Sequence, residues 1–196
     1  MIPGSWVALV TPMRDDGAVD FGCLDRLVDW HVEQGTDGLV VAGTTGESAT
    51  LSREEHIAVI RAVADRAAGR IPVIAGTGSN STAQTIDLSL AVDGLAIAAF
   101  LIVTPYYNKP TQHGLFRHFA AIAEAVSKPL ILYNVPGRTA VDLLPATVAR
   151  LAALPGIAGI KEATGDLSRV RPLRDACGPH FLLYSGDDAS GCEFML

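Results

Sequence analysis

The chain has 196 residues, 49% of them hydrophobic and 18% charged, with a net charge of −6 at neutral pH. That is enough chain for one domain with a full core, and the balance excludes a disordered or fibrous protein. No Lys/Arg cluster occurs, which argues against nucleic acid as a partner, because phosphate neutralisation needs a basic patch.

The chain opens on MIPGSWVALVTP, which lacks the positive n-region and small-residue cleavage pattern of a leader. WVALVTP itself reads as a first strand. FGCLDRLVDWHVEQG follows with apolar residues at helical spacing (Leu24, Leu27, Val28) plus His31, and closes on Gly35 as a C′ glycine. GLVVAGTT is a second strand. Ser52-Arg53-Glu54-Glu55 is a capping box that opens a helix, and PVIAGTG is a third strand. Ser81-Thr82-Ala83-Gln84 repeats the box with glutamine. AFLIVTPYY, PLILYNVP, IAGIKEA and FLLYSGD are strands four to seven, each rich in Val, Ile or Leu and bounded by Gly or Pro. The longest apolar run, LAIAAFLIV at 95–103, falls short of the roughly 18 residues that suggest a membrane span. Cys23, Cys177 and Cys192 show neither metal spacing nor a disulfide framework, so a cytoplasmic protein without membrane association is expected.

Repeating βα units of about 25–35 residues point to an α/β fold, either a doubly wound sheet or a TIM (β/α)8 barrel. An open sheet gathers its site at one switch point, whereas a barrel draws on the C-terminal ends of many strands. Here nearly every strand ends in polar residues: Thr44-Thr45-Gly46-Glu47, Thr104-Pro105-Tyr106-Tyr107, Tyr133-Asn134, Lys161-Glu162 and Ser185-Gly186-Asp187 among them. The barrel is therefore the expectation. It typically takes about 250 residues and eight strands. The expected domain is thus a single incomplete barrel over 1–196, truncated after the seventh strand and the start of its helix. Its eighth βα unit is expected to be absent, leaving strands one and seven with open edges and the isolated chain less stable and less active than a complete barrel.

Lys161 stands out because a charged amine follows the apolar run IAGI. Alternation places it on one face with Gly159 and Ile157, with Glu162 on the other. If it points inward, Gly159 leaves space for its stem or a ligand, and desolvation frees the lone pair for attack on a ketone. The alternatives are a snorkelling lysine or an ion pair with Glu162. Tyr133, on the neighbouring strand, is suited to proton shuttling, or else is an interior aromatic with a satisfied hydroxyl. Arg138, after a Pro-Gly turn, is suited to a carboxylate, or is a solvated loop residue. GTTGES at 43–48 exposes backbone N–H groups that fit an anion nest, a tight turn or a phosphate cradle, but it is not a P-loop. Tyr106 and Tyr107 suit recognition, a subunit contact or packing. The five histidines lack HExxH or Cys-His spacing, so no metal is expected; His31 and His118 fit the core edge or the surface of their helices. No GxGxxG opens a helix after a strand, so no nicotinamide cofactor is expected, and none of any other kind.

The stretches GSxVALVTPM, GTTGESATL, RIPVIAGTG, VTPYYNKP, ILYNVPGRT, GIKEATGD and YSGDDAS together resemble the dihydrodipicolinate synthase family, class I aldolases of the N-acetylneuraminate lyase superfamily. The resemblance runs from residue 2 to about 195, and it implies that the family's C-terminal helical extension is absent from this domain. It implies that Lys161 forms an imine with pyruvate, whose enamine attacks the aldehyde of aspartate semialdehyde in diaminopimelate and lysine biosynthesis. Thr44, Tyr107 and Tyr133 would form a proton relay. Thr45 and Gly186 would line the pyruvate site, and Arg138 would hold the semialdehyde carboxylate. Tyr107 would cross a tight dimer, and two dimers would make a homotetramer. A feedback-lysine site would comprise Ser48, Ala49, His56, Asn80, Gln84 and Tyr106, although Gln84 stands where lysine-sensitive members carry an acid and Arg53 where a histidine is common. The alternatives are another pyruvate lyase of the superfamily, such as a sialic acid lyase or ketodeoxygluconate aldolase, or an inactive truncated form that assembles through its open edges.

Overall fold

The computed structural model describes residues 4–196. The first three residues, part of the stretch searched for a leader, lie outside the described residues. The chain divides into two compact units: 1–77 with 87–101, and 78–86 with 102–196. Seven parallel strands follow one another in chain order, alternating with helices.

The first unit holds β1 (Trp6–Ala8), α1 (Phe21–Glu33), β2 (Gly38–Val41), α2 (Arg53–Ala67) and β3 (Val73–Gly76). β2 and β3 are buried along their whole length, as all-apolar strands covered on both faces must be. β1 pairs with β2 through Trp6↔Gly38, β2 with β3 through Leu39↔Val73, and β3 with β4 (Ala99–Val103) through Ile74↔Ala99. α1 is capped by Asp20, whose side chain accepts from the Cys23 amide, and is followed by Gly35 in the left-handed conformation the sequence called for. The Ser52–Glu55 capping box forms in both directions. α1 and α2 pack together, and Asp29 on α1 takes the guanidinium groups of Arg66 and Arg70. Those two hydrogen bonds hold its carboxyl down at about 2. α3 (Thr82–Val92) and β4 each pass from one unit to the other.

The second unit contains the end of β4, α4 (Gln112–Ala125), β5 (Leu130–Asn134), α5 (Pro136–Thr139), α6 (Pro145–Ala152), β6 (Ile157–Glu162), α7 (Val170–Cys177), β7 (Leu182–Ser185) and α8 (Gly191–Met195). β5, LILYN, is buried at every residue. β5 and β6 pair from Leu130↔Ile157 to Asn134↔Glu162, with a register shift after Leu130 that leaves Ala158 without a partner on β5. β7 continues the ladder through Gly159↔Leu182 and Lys161↔Tyr184. α6 packs on α4 and α7.

The second capping box is only half made. The Gln84 amide donates to Ser81 Oγ at 3.3 Å, but its side chain accepts from Ser79 Oγ, and Ser79 Oγ in turn receives the Ser81 amide. A closer hydroxyl in the preceding turn has displaced glutamine from its expected return bond. His31 and His118 are both buried, against Thr36 and Thr82 Oγ1 respectively, which rules out the surface alternative. Burial without a partner for Nε2 holds the His118 ring down at about 4.

Candidate active site

Lys161 is the fifth residue of β6 and stands in register between Tyr133 on β5 and Tyr184 on β7. Residues in register on parallel neighbours share a face of the sheet. Its Nζ lies 4.7 Å from the centroid of the Tyr133 ring, over the ring face. Tyr133 is 6% exposed and Lys161 is half-buried. Desolvation lowers the amine below its ordinary range, and the negative charge of Asp188 opposes that shift only in part. The ion-pair reading with Glu162 fails. Among the described residues no carboxylate lies within salt-bridge reach of Nζ, and Glu162 is turned to the other face against Asn134.

The room for the lysine comes from a different glycine than the one expected. A Cβ on Gly159 would meet the Leu182 carbonyl oxygen at 2.5 Å, so that glycine permits close approach of β7 and leaves no space for a stem or ligand. A Cβ on Gly186 would lie 2.7 Å from Lys161 Cε and 3.0 Å from Cγ. Gly186 therefore makes the channel along which the lysine extends. If Lys161 forms the pyruvate imine that the resemblance implies, Gly186→Ala is expected to slow that capture by about tenfold or more while the protein stays folded, since small displacements of a nucleophile are costly. Timed borohydride trapping checks this, and a wild-type rate would refute it.

Arg138 sits on α5, a single helical turn rather than a bare Pro-Gly bend, with Pro136 at its first position. Its side chain is exposed. The turn is pinned by Thr139, whose hydroxyl donates to the Val141 carbonyl at 2.9 Å and accepts from Thr104 Oγ1 at 3.3 Å. Tyr107 is 89% exposed and carries φ +73, a left-handed conformation unusual for a bulky residue. Tyr106 is half-buried beside it.

In the first unit, Thr44 and Thr45 are exposed on the turn after β2. The turn is set by left-handed Ala42 and Glu47 and by Gly46, whose carbonyl accepts from Thr11 Oγ1 at 2.7 Å. Ser48 and Ala49 form the 3₁₀ turn that follows. His56 is buried and donates from Nε2 to the Gly76 carbonyl at 2.7 Å. Asn80 and Gln84 belong to the second unit, where the Asn80 carbonyl accepts from Asn108 Nδ2. The structure thus brings Lys161, Tyr133 and Gly186 together. Among the described residues no hydrogen bond joins Tyr107 to that group. No set of three His, Cys, Asp or Glu side chains capable of holding a metal occurs among the described residues, and no helix there is long and apolar enough to cross a membrane.

Sequence reasoning missed a polar cluster on the other face of β5 and β6. Asn134 and Glu162 are 0% and 3% exposed, and Asn134 Nδ2 donates to Glu162 at 3.1 Å and to Asp142 Oδ1 at 3.0 Å. Arg169 donates to both Asp142 oxygens and lies 3.7 Å from Glu162. Burial pushes the Asp142 carboxyl up, but the Arg169 and Asn134 hydrogen bonds outweigh it and hold the group below its ordinary range. The available signal was the pair of polar residues closing each strand, Tyr133-Asn134 and Lys161-Glu162.

An amine kept partly dry over a phenol, at the end of a parallel strand, gives up its proton more readily than a solvated lysine. The model of the dihydrodipicolinate synthetase family matches residues 1–196. A 4-hydroxy-tetrahydrodipicolinate synthase of Methylococcus capsulatus is 62% identical over 196 residues, all of this chain and 67% of the relative. The crystal structure of a chloride-inhibited dihydrodipicolinate synthase from Acinetobacter baumannii, complexed with pyruvate, is 57% identical with a TM-score of 0.97, over 100% of this chain and 67% of that one. A monomeric dihydrodipicolinate synthase variant is 39% identical with a TM-score of 0.93, over 98% of this chain and 65% of its own. The chain thus spans about two thirds of the length of these proteins. The α/β class and the seven successive parallel βα units expected of a TIM barrel are both present. The chain belongs to the dihydrodipicolinate synthetase family.

Proposed function

We propose that the protein is a 4-hydroxy-tetrahydrodipicolinate synthase, a lyase of the class I aldolase type, and that Lys161 is its Schiff-base residue. The amine adds to the keto carbon of pyruvate, forming a C–N bond and, after loss of water, an imine. Loss of a methyl proton gives the enamine, whose carbon bonds to the aldehyde carbon of aspartate semialdehyde. The semialdehyde's own amino group then attacks the imine carbon, closing the ring and freeing Lys161. Tyr133, with Thr44 and Tyr107, carries protons through these steps. Thr45 and Gly186 border the pyruvate carboxylate, and Arg138 takes the carboxylate of the semialdehyde, which favours a short acidic aldehyde over a sugar. The observation that carries this reading is the desolvated Lys161 amine held over the Tyr133 ring.

Several further assignments support the same reading. Tyr107 projects from its loop almost wholly exposed, as a residue that crosses into a partner subunit would, so we assign a homotetramer built as a dimer of dimers. Free Cys23, Cys177 and Cys192 suit a reducing cytoplasm. For a lysine-regulatory site at Ser48, Ala49, His56, Asn80, Gln84 and Tyr106, Gln84 offers no charge to an ammonium, and one nitrogen of His56 is already committed to Gly76, so neither residue supports inhibition by lysine.

The test is reductive trapping. With pyruvate and borohydride, a single adduct on Lys161 is expected. Its rate of formation should rise with pH, because only the neutral amine attacks, and its midpoint should fall below the ordinary lysine value of about 10.4. An adduct on any other residue, or none, would sink the assignment.

A further inference from the structure

Register places Asn134 opposite Glu162 one step beyond Tyr133 opposite Lys161. Successive side chains point to opposite faces, so the Asn134–Glu162 pair stands directly behind the amine and the phenol. Every polar atom of the Asn134 side chain is used: Oδ1 accepts from the Leu143 amide at 2.9 Å, and Nδ2 donates to Asp142 and Glu162. Glu162 also receives the Thr164 amide at 3.0 Å. Arg169 closes the group against Asp142 and reaches back to Asp166 at 3.6 Å. The main chain continues the tie, with the Ala163 amide donating to the Asn134 carbonyl at 2.9 Å and the Gly186 amide to the Glu162 carbonyl at 2.8 Å. The residues that frame the lysine thus hang on the residues of this cluster.

Burying the Glu162 carboxylate is expensive even beside the partly buried Asp142 and Arg169, and apolar packing would hold two strands together at less cost. What apolar packing lacks is direction. We infer that Glu162 is a positioning residue: its carboxylate, held by Asn134, Thr164 and Arg169, locks the ends of β5 and β6 and so fixes the placement of Lys161 over Tyr133. Glu162 and its partners act through the two residues in front of them.

This inference rests on the imine chemistry proposed above, and the experiment separates the two. Rapid-quench borohydride trapping on the wild-type protein first establishes the Lys161 adduct and its rate constant. Glu162→Met keeps side-chain length and removes both acceptors. Its rate constant for adduct formation is expected to fall about tenfold or more, as misplacement of a nucleophile by a fraction of an ångström does. The fraction of chains finally trapped and the KM for pyruvate should stay within about twofold of wild type, because ground-state binding is not what the clamp serves. Glu162→Gln, which still accepts from Asn134 and Thr164, should recover most of the rate. Should Glu162→Met not fold, Asp142→Asn weakens the anchor of Arg169 at a less buried site and is expected to slow trapping by about threefold. A wild-type rate constant in Glu162→Met, or in Asp142→Asn where only that variant folds, overturns the inference alone. So does a loss of trapped fraction at an unchanged rate constant, which marks a merely structural role. Absence of any Lys161 adduct in the wild type overturns both readings.

Discussion

Lys161→Met is expected to abolish synthase turnover, by at least about 10⁴-fold, and to leave no pyruvate adduct after borohydride, because it removes the desolvated amine held over Tyr133 that forms the C–N bond. The same variant should be at least as stable as the wild type. The lysine pKa is lowered by folding, so between the folded and unfolded values the unfolded chain binds more protons, and stability rises with pH through that window. Below the window both states are protonated, and the folded state carries the full cost of a partly buried charge. Methionine removes that cost and fills the same channel beside Gly186. Thermal melts at neutral pH, alongside turnover assays, check both halves. Residual activity near wild type would remove Lys161 from the chemistry, and a large fall in melting temperature would show the amine to be a structural element.

Tyr133→Phe carries the second large effect. The phenylalanine ring still underlies the Lys161 nitrogen and still fills a fully buried strand, so packing and amine desolvation are kept. Only the hydroxyl is lost. A proton shuttle at that position contributes about 10²- to 10⁴-fold, so kcat is expected to fall by about 10² or more, with the KM for pyruvate changed by no more than a few-fold. Steady-state kinetics decide this. An unchanged kcat would reduce Tyr133 to a wall of the site and pass the proton work to another group.

Much of this was legible in the chain. All seven strands lie where runs of Val, Ile and Leu end in Gly, Pro or a polar pair, because burial on both faces forces such runs. Gly35 and the Ser52–Glu55 box are local signals, and they hold because nothing tertiary competes with them. Lys161 was legible as an anomaly, a charge where the pattern demanded an apolar residue. Most of the failures share a cause, which is distance along the chain; the exception is a local competition. Gly159 lies against Leu182 and Gly186 against Lys161, and no alternation rule for one strand tells which glycine a neighbouring strand will crowd. Gln84 lost its return bond to Ser79, a competitor five residues away. The Asn134, Asp142, Glu162 and Arg169 cluster spans 36 positions and has no sequence period at all. Long-range polar contacts are chosen by the fold after the strands are placed.

The loop leaving β7 acts as a template for the lysine through Gly186, because the side chain missing there is the volume that the lysine stem occupies. Hydrogen bonds within the loop tie its backbone: Ser185 Oγ donates to the Asp187 carbonyl at 3.1 Å, and Ser190 donates to Asp187 Oδ2 through both its amide and its hydroxyl. Three small side chains thereby help to set how much room the stem has.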